Sequence, residues 1–346
     1  TAIMVGTGKG AEQGILIKSG TALEMAHQVD AVVLDKTGTL TQGQPQVTDV
    51  LPLTGWTPDQ LLALAAAAEV NSEHPLGQAI VAGARERELA LPEVTNFQSL
   101  TGYGIRVLNG KNFYFLGNRR MMQEIGLDLS RAEELAATLA AGGKTPIYVG
   151  NREEILGLIA VADPLKATSP EAVRRLKAMG LQVIMLTGDN AKTAQALAAE
   201  AGIDQVISDV LPADKAQVVA DLQAQGLKVA MVGDGINDAP ALAQADVGLA
   251  IGRGADVAIE SADMVLMGSD LTSVATAIKL SQATIRNIKE NLFWTFAYNV
   301  LGIPVAMGVL HLFGGPLLNP MLAGAAMSFS SVSVILNALR LRRFKA

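Results

Sequence analysis

The chain has 346 residues, half of them apolar, which is rich for the two or three soluble domains its length would fill. Its formal net charge of −6, without a basic stripe carrying interleaved aromatics, argues against nucleic acid as a partner. The absence of cysteine excludes disulfides, zinc clusters and thiolate metal sites within these residues.

The opening residues Thr1-Ala2-Ile3-Met4-Val5 are apolar, with no initiator Met and no signal-peptide layout. They read as the end of a membrane-crossing helix in a longer polypeptide. From Gly6 to about Asp30 the pattern is amphipathic, with Ile15-Leu16-Ile17 ahead of a helix predicted over Ala22–His27; residues 1–30 are taken as helix end and stalk. His27 has no second ligand nearby and reads as a packed or solvated helix residue.

Ala31-Val32-Val33-Leu34 predicts a buried strand that presents Asp35 at its carboxyl end, where open α/β sheets place their chemistry. A carboxylate there can attack phosphorus. Lys36 would offset phosphate charge, and Gly38 lets the main chain turn its N–H groups toward phosphate oxygens.

Residues 46–150 read as a self-contained insert that separates this strand from the rest of its sheet. Helical periodicity runs over Asp59–Glu69 and Pro75–Glu88, and β-like runs follow around Phe97–Val107 and Asn112–Leu116. Glu69 and Ser72-Glu73-His74-Pro75 bracket a loop between the two helices, with Pro75 suited to a first helical turn. Gly102-Tyr103-Gly104 leaves backbone bare for close approach of a flat ligand, and Gly117-Asn118 supplies another open corner.

After the insert the sheet resumes, so residues 31–45 and 151–285 form one domain. A strand over Gln182–Leu186 ends in Thr187-Gly188-Asp189, and another over Lys228–Val232 ends in Gly233-Asp234-Gly235-Ile236-Asn237-Asp238. Helices predicted at Ser169–Met179, Ala191–Ala201 and Asp214–Gln225 separate these runs. The βαβ alternation implies a parallel sheet with all three polar strings at one edge. There Thr187 can donate a hydroxyl to a phosphoryl oxygen, and Lys215 can neutralise developing charge. Asp234 can join Asp35 on Mg²⁺, a hard ion that takes oxygen ligands. Gly235 and Asn237 shape the turn and can hydrogen-bond phosphate or metal-bound water. Asp238 orders the turn, with acid–base participation left open, and Asp189 fits helix capping better than catalysis. Further short strands are predicted at Val247–Ile251 and Met264–Met267.

Residues 286–346 change character. Asn291–Phe313 and Leu317–Leu339 each run 23 residues without a charged side chain around Gly314-Gly315-Pro316, which predicts two transmembrane helices and a tight turn. Arg286 and Lys289 precede the first and Arg340, Arg342, Arg343 and Lys345 follow the second, which places both outer ends in the cytoplasm. Asn299 and Ser331 are polar groups in apolar surroundings, and Met327 and Ser331 share a face; plain interhelical packing is the alternative to an ion path. His311 lies near an outer end and reads as interface packing.

The string Asp35-Lys36-Thr37-Gly38-Thr39-Leu40-Thr41, with Thr187-Gly188-Asp189 and the Asp234–Asp238 string, resembles the phosphorylation domain of P-type ATPases, a haloacid-dehalogenase-like (Rossmann-like) α/β fold. Haloacid-dehalogenase-type phosphatases usually carry a second Asp two places after the nucleophile; here Thr37 stands there, which implies a persistent aspartyl-phosphate. The insert resembles the α+β nucleotide-binding domain of the heavy-metal (type IB) branch. The resemblance implies ATP as substrate, with Glu69 and His74 holding adenine and Gly102, Gly104, Ile105, Gly117 and Asn118 lining the pocket. It also implies Mg²⁺ on Asp35, Thr37 and Asp234, and catalytic roles for Lys36, Thr37, Thr187, Gly188, Lys215, Asn237 and Asp238.

Tyr298-Asn299, Met327-Ser328-Phe329-Ser330-Ser331 and Asn337-Ala338-Leu339-Arg340-Leu341 resemble the copper(I) branch. Thioether chemistry suits Cu(I), and Ag(I) after it, whereas a zinc pump would carry a charge in these spans. Tyr298, Asn299, Met327 and Ser331 are therefore expected as copper-pathway residues. The actuator domain and the Cys-Pro-Cys helix of that family do not occur here, so the chain is expected to be the C-terminal portion of a pump. Lipid, the rest of the pump and a copper chaperone are its expected partners, in a bacterial or archaeal plasma membrane with the catalytic domains in the cytoplasm. A zinc or cadmium pump and a membrane-tethered phosphatase are the alternatives.

Overall fold

The computed structural model describes residues 1–72, 74–100, 102–189, 191–234, 238–252, 260–314 and 319–344. Its strands in chain order are β1 (Ile15–Ile17), β2 (Ala31–Asp35), β3 (Gln46–Pro52), β4 (Thr95–Leu100), β5 (Gly104–Asn109), β6 (Asn112–Gly117), β7 (Thr145–Gly150), β8 (Ile155–Ala162), β9 (Gln182–Leu186), β10 (Gln205–Ile207), β11 (Val229–Gly233), β12 (Val247–Ile251) and β13 (Met264–Leu266). They form a seven-stranded sheet in the order β1-β13-β12-β11-β2-β9-β10 and a six-stranded sheet in the order β3-β8-β7-β6-β5-β4. By contacts the chain divides into two compact units, Thr1–Leu34 with Glu171–Val183 and Pro212–Ala346, and Asp35–Pro170 with Ile184–Leu211. The division passes between Leu34 and Asp35 and between Val183 and Ile184, inside β2 and β9, both of which run on unbroken.

The central strands of the first sheet are apolar throughout because a parallel sheet covered on both faces has no solvent side. Every residue of β2, β11 and β12 is buried. β11 runs parallel to both β2 and β12. The predicted stalk is partly sheet, since Ile15–Ile17 pairs antiparallel with β13 and closes one edge. Three residues are too few for a period to show in sequence.

The insert is an antiparallel sheet with helices on both faces. On one face pack Pro58–Glu69, opened by a Thr57/Gln60 capping box, and Pro75–Glu86. They bury Leu61, Leu62 and Ile80 against Val107, Leu116 and Ile159. On the other face Arg119–Ile125 and Ser130–Ala141, two helices the apolar pattern does not single out, cover Phe115, Tyr148 and Leu158 with Met122 and Leu139. This sheet does not stop at the expected boundary of Gly150. β8 pairs with both β3 and β7 and carries the insert to Ala162.

The helix Thr272–Ala306 has 35 residues, and its first half is buried through Val274, Ala277, Ile278 and Leu280. Among the described residues no helix is long and apolar enough to cross a membrane. The first expected span is broken by a turn at Met307–Gly308, where Gly308 has φ +81°, before the short helix Val309–Leu312. From Asn291 to Ala306 the helix rises about 24 Å, less than the ~30 Å of a hydrocarbon core. The second helix is Pro320–Leu339, and the start of its expected span at 317–318 lies outside the described residues. Both segments nonetheless show large apolar side chains to solvent, including Phe293, Trp294, Phe296, Leu301 and Phe329. The two helices are tied at one end by amides: Asn287 Nδ2 donates to the Asn337 carbonyl at 2.8 Å, and Asn337 Nδ2 donates to Asn291 Oδ1 at 3.0 Å.

Candidate phosphorylation and nucleotide sites

Register places the acidic strand ends. Leu34 lies opposite Val232 in the parallel β2–β11 pair, so Asp35, and Asp234 just beyond Gly233, leave neighbouring strands at the same carboxyl edge. Asp35, Asp234 and Asp238 each offer a carboxylate oxygen within 4.8 Å of the others. Three carboxylates this close repel unless a cation or proton joins them, and an all-oxygen donor set of this kind fits a hard divalent ion such as Mg²⁺. Asp238 also accepts from Lys215 Nζ at 2.6 Å, a pair in which both side chains are buried. Thr37 is exposed in the turn after β2, next to Gly38 with φ +71°, a left-handed conformation that glycine adopts without strain. Asn237 and Gly235 lie outside the described residues.

Thr187, at the end of β9, is buried, and its hydroxyl oxygen accepts from the Asp189 N–H at 3.1 Å. Gly188 follows it, with the Val210 carbonyl 3.2 Å from where a Cβ would stand. Asp189, expected as a helix cap, turns its carboxylate to Lys36, whose Nζ donates to Oδ2 at 2.8 Å.

The turn after Asp35 is held by a segment that sequence reasoning passed over, Asp163 to Ser169. Asp163 Oδ2 accepts from Thr41 Oγ1 at 2.5 Å and from the Gly43 N–H at 3.2 Å, and Oδ1 accepts from the Gln44 N–H at 3.1 Å. Lys166 Nζ donates to the Gly38 carbonyl, and Ser169 Oγ to the Leu40 carbonyl at 2.7 Å. The available signal was Asp163-Pro164 directly after the apolar run 155–162, since Asp-Pro initiates turns.

In the insert, Glu69, His74, Gly102, Gly104, Ile105, Gly117 and Asn118 all line one cleft of about 470 Å³. Asn118 caps the helix Arg119–Ile125 through Oδ1 and donates from Nδ2 to the Gly102 carbonyl at 2.8 Å, which fixes the Gly102–Gly104 turn. Gly104 has φ +148°, and a Cβ there would stand 2.0 Å from the Leu116 carbonyl oxygen. His74 caps the helix Pro75–Glu86, its Nδ1 accepting from the Leu76 N–H at 3.2 Å. Glu69 is buried at the end of its helix. Burial pushes its carboxyl up, against a Ser72 hydrogen bond and the neighbouring His74, and Oε2 has no hydrogen-bond partner.

Among the described residues no hydrogen bond joins the expected copper-pathway residues of one helix to those of the other. Asn299 Nδ2 donates to the Thr295 carbonyl and Ser331 Oγ to the Met327 carbonyl, each within its own helix. Met327 is 71% exposed and Tyr298 46%.

The family model of haloacid dehalogenase-like hydrolases matches residues 29–246. A copper-exporting P-type ATPase of Bacillus subtilis is 51% identical over 350 residues, covering the whole of this chain and 42% of that protein. The chain thus spans about two fifths of the length of the curated relatives it matches. Among solved structures, a zinc-transporting PIB-type ATPase in an E2.Pi state matches with a TM-score of 0.89 and 38% identity, over 99% of this chain and 54% of that one. The catalytic domain of the CPx-ATPase CopB-B matches with a TM-score of 0.62 and 30% identity, over 79% of this chain and 98% of that one. The chain therefore belongs to the haloacid dehalogenase-like hydrolases and, within them, to the P-type ATPases.

Proposed function

We propose that this chain is the catalytic and C-terminal portion of an ATP-driven copper(I) exporter that works through an aspartyl-phosphate on Asp35. The carrying observation is Asp35, buried at a sheet edge beside Asp234 and Asp238, in a chain 51% identical along its length to a copper-exporting relative. ATP lays its adenine in the cleft bounded by Glu69, His74 and Asn118. A carboxylate oxygen of Asp35 attacks the γ-phosphorus, the bond to the β,γ-bridging oxygen breaks, and ADP leaves. Lys36, Lys215 and the Thr187 hydroxyl oppose the charge on the transferred group, Gly188 leaves room for it, and Asn237 and Asp238 are further catalytic residues. Asp35 and Asp234, with Thr37, would hold Mg²⁺, whose chemistry here is to neutralise phosphate charge. Thr37 offers no carboxylate to activate water, so the acyl phosphate persists long enough to drive a conformational change.

The insert, 46 to about 162, is the nucleotide domain, and the remainder of 31–285 is the phosphorylation domain. The exposed apolar side chains of 291–339 meet lipid and the parent's other helices, with Tyr298, Asn299, Met327 and Ser331 on the metal path and the catalytic domains in the cytoplasm of a bacterial or archaeal cell. Ag(I) is a second cargo, and a copper chaperone and the parent's actuator domain are further partners. A zinc pump is the second reading, favoured by the 0.89 TM-score to a zinc-transporting structure. Higher identity to the copper relative and the thioether of Met327 in a charge-free segment weigh against it.

In the full-length parent, labelled ATP should give an acid-stable, hydroxylamine-sensitive phosphoenzyme that Asp35→Asn abolishes. ATPase activity under reducing conditions should rise with Cu(I) and Ag(I) and not with Zn²⁺ or Cd²⁺. Label retained in Asp35→Asn would refute the nucleophile, and stimulation by Zn²⁺ alone would refute the cargo.

A further inference from the structure

The adenine cleft contains a carboxylate whose hydrogen bonding is incomplete. Glu69 is 8% exposed, Ser72 hydrogen-bonds its carboxylate, and Oε2 is buried without a partner. Oε2 lies so close to the main chain of Gly77 that a Cβ there would stand 2.3 Å from it. The strands facing it, β5, β6 and β7, present Ile105, Leu116 and Ile147 and no charge. Two other titratable groups line the cleft among the described residues. The Tyr103 hydroxyl donates to Glu124, and His74 Nδ1 accepts from the Leu76 N–H. Glu69 thus faces an apolar wall, and His74 and the first turn of the helix Pro75–Glu86 are what favour its charge.

Adenine presents two adjacent groups on its Watson–Crick edge, an amine donor at N6 and an acceptor at N1. An ionised carboxylate satisfies the first and repels the lone pair of the second. A carboxylic acid satisfies both, and its carbonyl oxygen keeps a second lone pair for Ser72. We infer that Glu69 reads adenine as the protonated acid, Oε2–H donating to N1 while the carbonyl oxygen accepts from N6, so that nucleotide binding takes up one proton from solvent. The inference rests on the adenine pocket proposed above and adds its protonation state and pH dependence. The upward push that burial gives the empty-site carboxyl runs in the same direction, and the base deepens it by expelling the remaining water.

The test is isothermal titration of the full chain with ATP in two buffers of different ionisation enthalpy, from pH 6 to 8, for wild type and Glu69→Gln. Because the phosphate protons contribute equally to both, the difference in proton uptake isolates Glu69. Wild type should take up to one proton more per nucleotide than Glu69→Gln. The amide variant, which can donate to N1 and accept from N6, should bind with a flatter pH profile than wild type. 1-Deaza-ATP, which keeps N6 and lacks N1, should bind wild type about tenfold more weakly and without the extra proton. Equal uptake by wild type and Glu69→Gln, or undiminished binding of 1-deaza-ATP, overturns the protonated reading while leaving the pocket intact. Failure of the folded wild-type chain to bind ATP at all overturns the pocket and this inference with it.

Discussion

Replacing Asp163 with Ala removes three hydrogen bonds at once from the loop that follows Asp35. The Thr41 hydroxyl at 2.5 Å and the Gly43 and Gln44 amides at 3.2 and 3.1 Å lose a charged acceptor. Bonds to charged groups contribute about 1.5–3 kcal/mol each when buried. The two amides are exposed enough to turn to water, which brings the sum to about 2–4 kcal/mol. The remaining clasp survives, because Ser169 Oγ and the Lys166 N–H both still donate to the Leu40 carbonyl, at 2.7 and 2.9 Å. The loss therefore falls on the ordering of residues 36–44 and not on the fold. At 2 kcal/mol the competent loop is populated about thirtyfold less often. Rapid-quench phosphorylation by labelled ATP in the full-length parent should slow by a comparable factor, with little change in melting temperature. Asp163→Asn should fall between, since Thr41 and Gly43 share one oxygen while Gln44 uses the other, and an amide can serve only one side. Phosphorylation within twofold of wild type in Asp163→Ala would refute the idea that this carboxylate orders the loop.

Gly104→Ala forces a methyl to within 2.0 Å of the Leu116 carbonyl oxygen at φ +148°, where both the clash and the conformation are unfavourable. It should abolish detectable ATP binding in titration calorimetry, and binding within twofold of wild type would count against the cleft. Asp246 supplies a pH dependence. Burial alone would raise its carboxyl, but bonds from Gln223, Lys228 and the Val229 N–H outweigh burial and hold it below the ordinary 3.8. A depressed carboxyl stabilises the fold fully above its unfolded value near 3.8 and loses that contribution as pH falls through the folded value. Asp246→Asn should therefore destabilise at pH 7 and converge with wild type in urea melts as pH falls below about 4; a constant difference across that range would refute the linkage.

What could be seen in the sequence follows from which signals are local. β2 and β11 announce themselves as apolar runs ending in Asp, and their ends meet because parallel strands in register present successive carboxyl ends at one edge. β8 misleads for a physical reason. As an antiparallel strand covered by helices on both faces, it sends Leu156, Ile159 and Val161 into one core and Ile155, Leu158 and Ala160 into the other, and so mimics a parallel core strand. Its sequence alone therefore does not say which sheet it joins. Asp163 and Asp189 are illegible because their meaning lies in partners 122 and 153 residues away, Thr41 and Lys36. Asp-Pro marks a turn but does not name the loop it clasps. The apolar tail was legible as apolar, while the break at Gly308 depends on a local backbone choice that hydropathy does not register.

The two lysines proposed to face the transferred phosphoryl group are held in ways that assign them different work. Lys36 pairs with Asp189 at 2.8 Å, with side chains 18% and 31% exposed. A partly wetted pair of this kind contributes of order 1 kcal/mol, so Lys36 can exchange Asp189 for a phosphoryl dianion at little cost. Lys215 pairs with Asp238 at 2.6 Å, with side chains 11% and 3% exposed. Breaking a pair so buried leaves a charge stranded at a cost of about 3–5 kcal/mol. In the proposed mechanism Lys215 would therefore keep Asp238 as partner and add a phosphate contact to it, since an ammonium has three hydrogens to donate. In the proposed mechanism Lys36 would be the exchangeable counter-ion, carried by the same turn as Asp35, and would release Asp189 when the phosphate arrives. Asp189 also donates its N–H to the Thr187 hydroxyl. Thr187 and Lys36, both proposed to face the phosphoryl group, are linked through this one carboxylate-bearing residue.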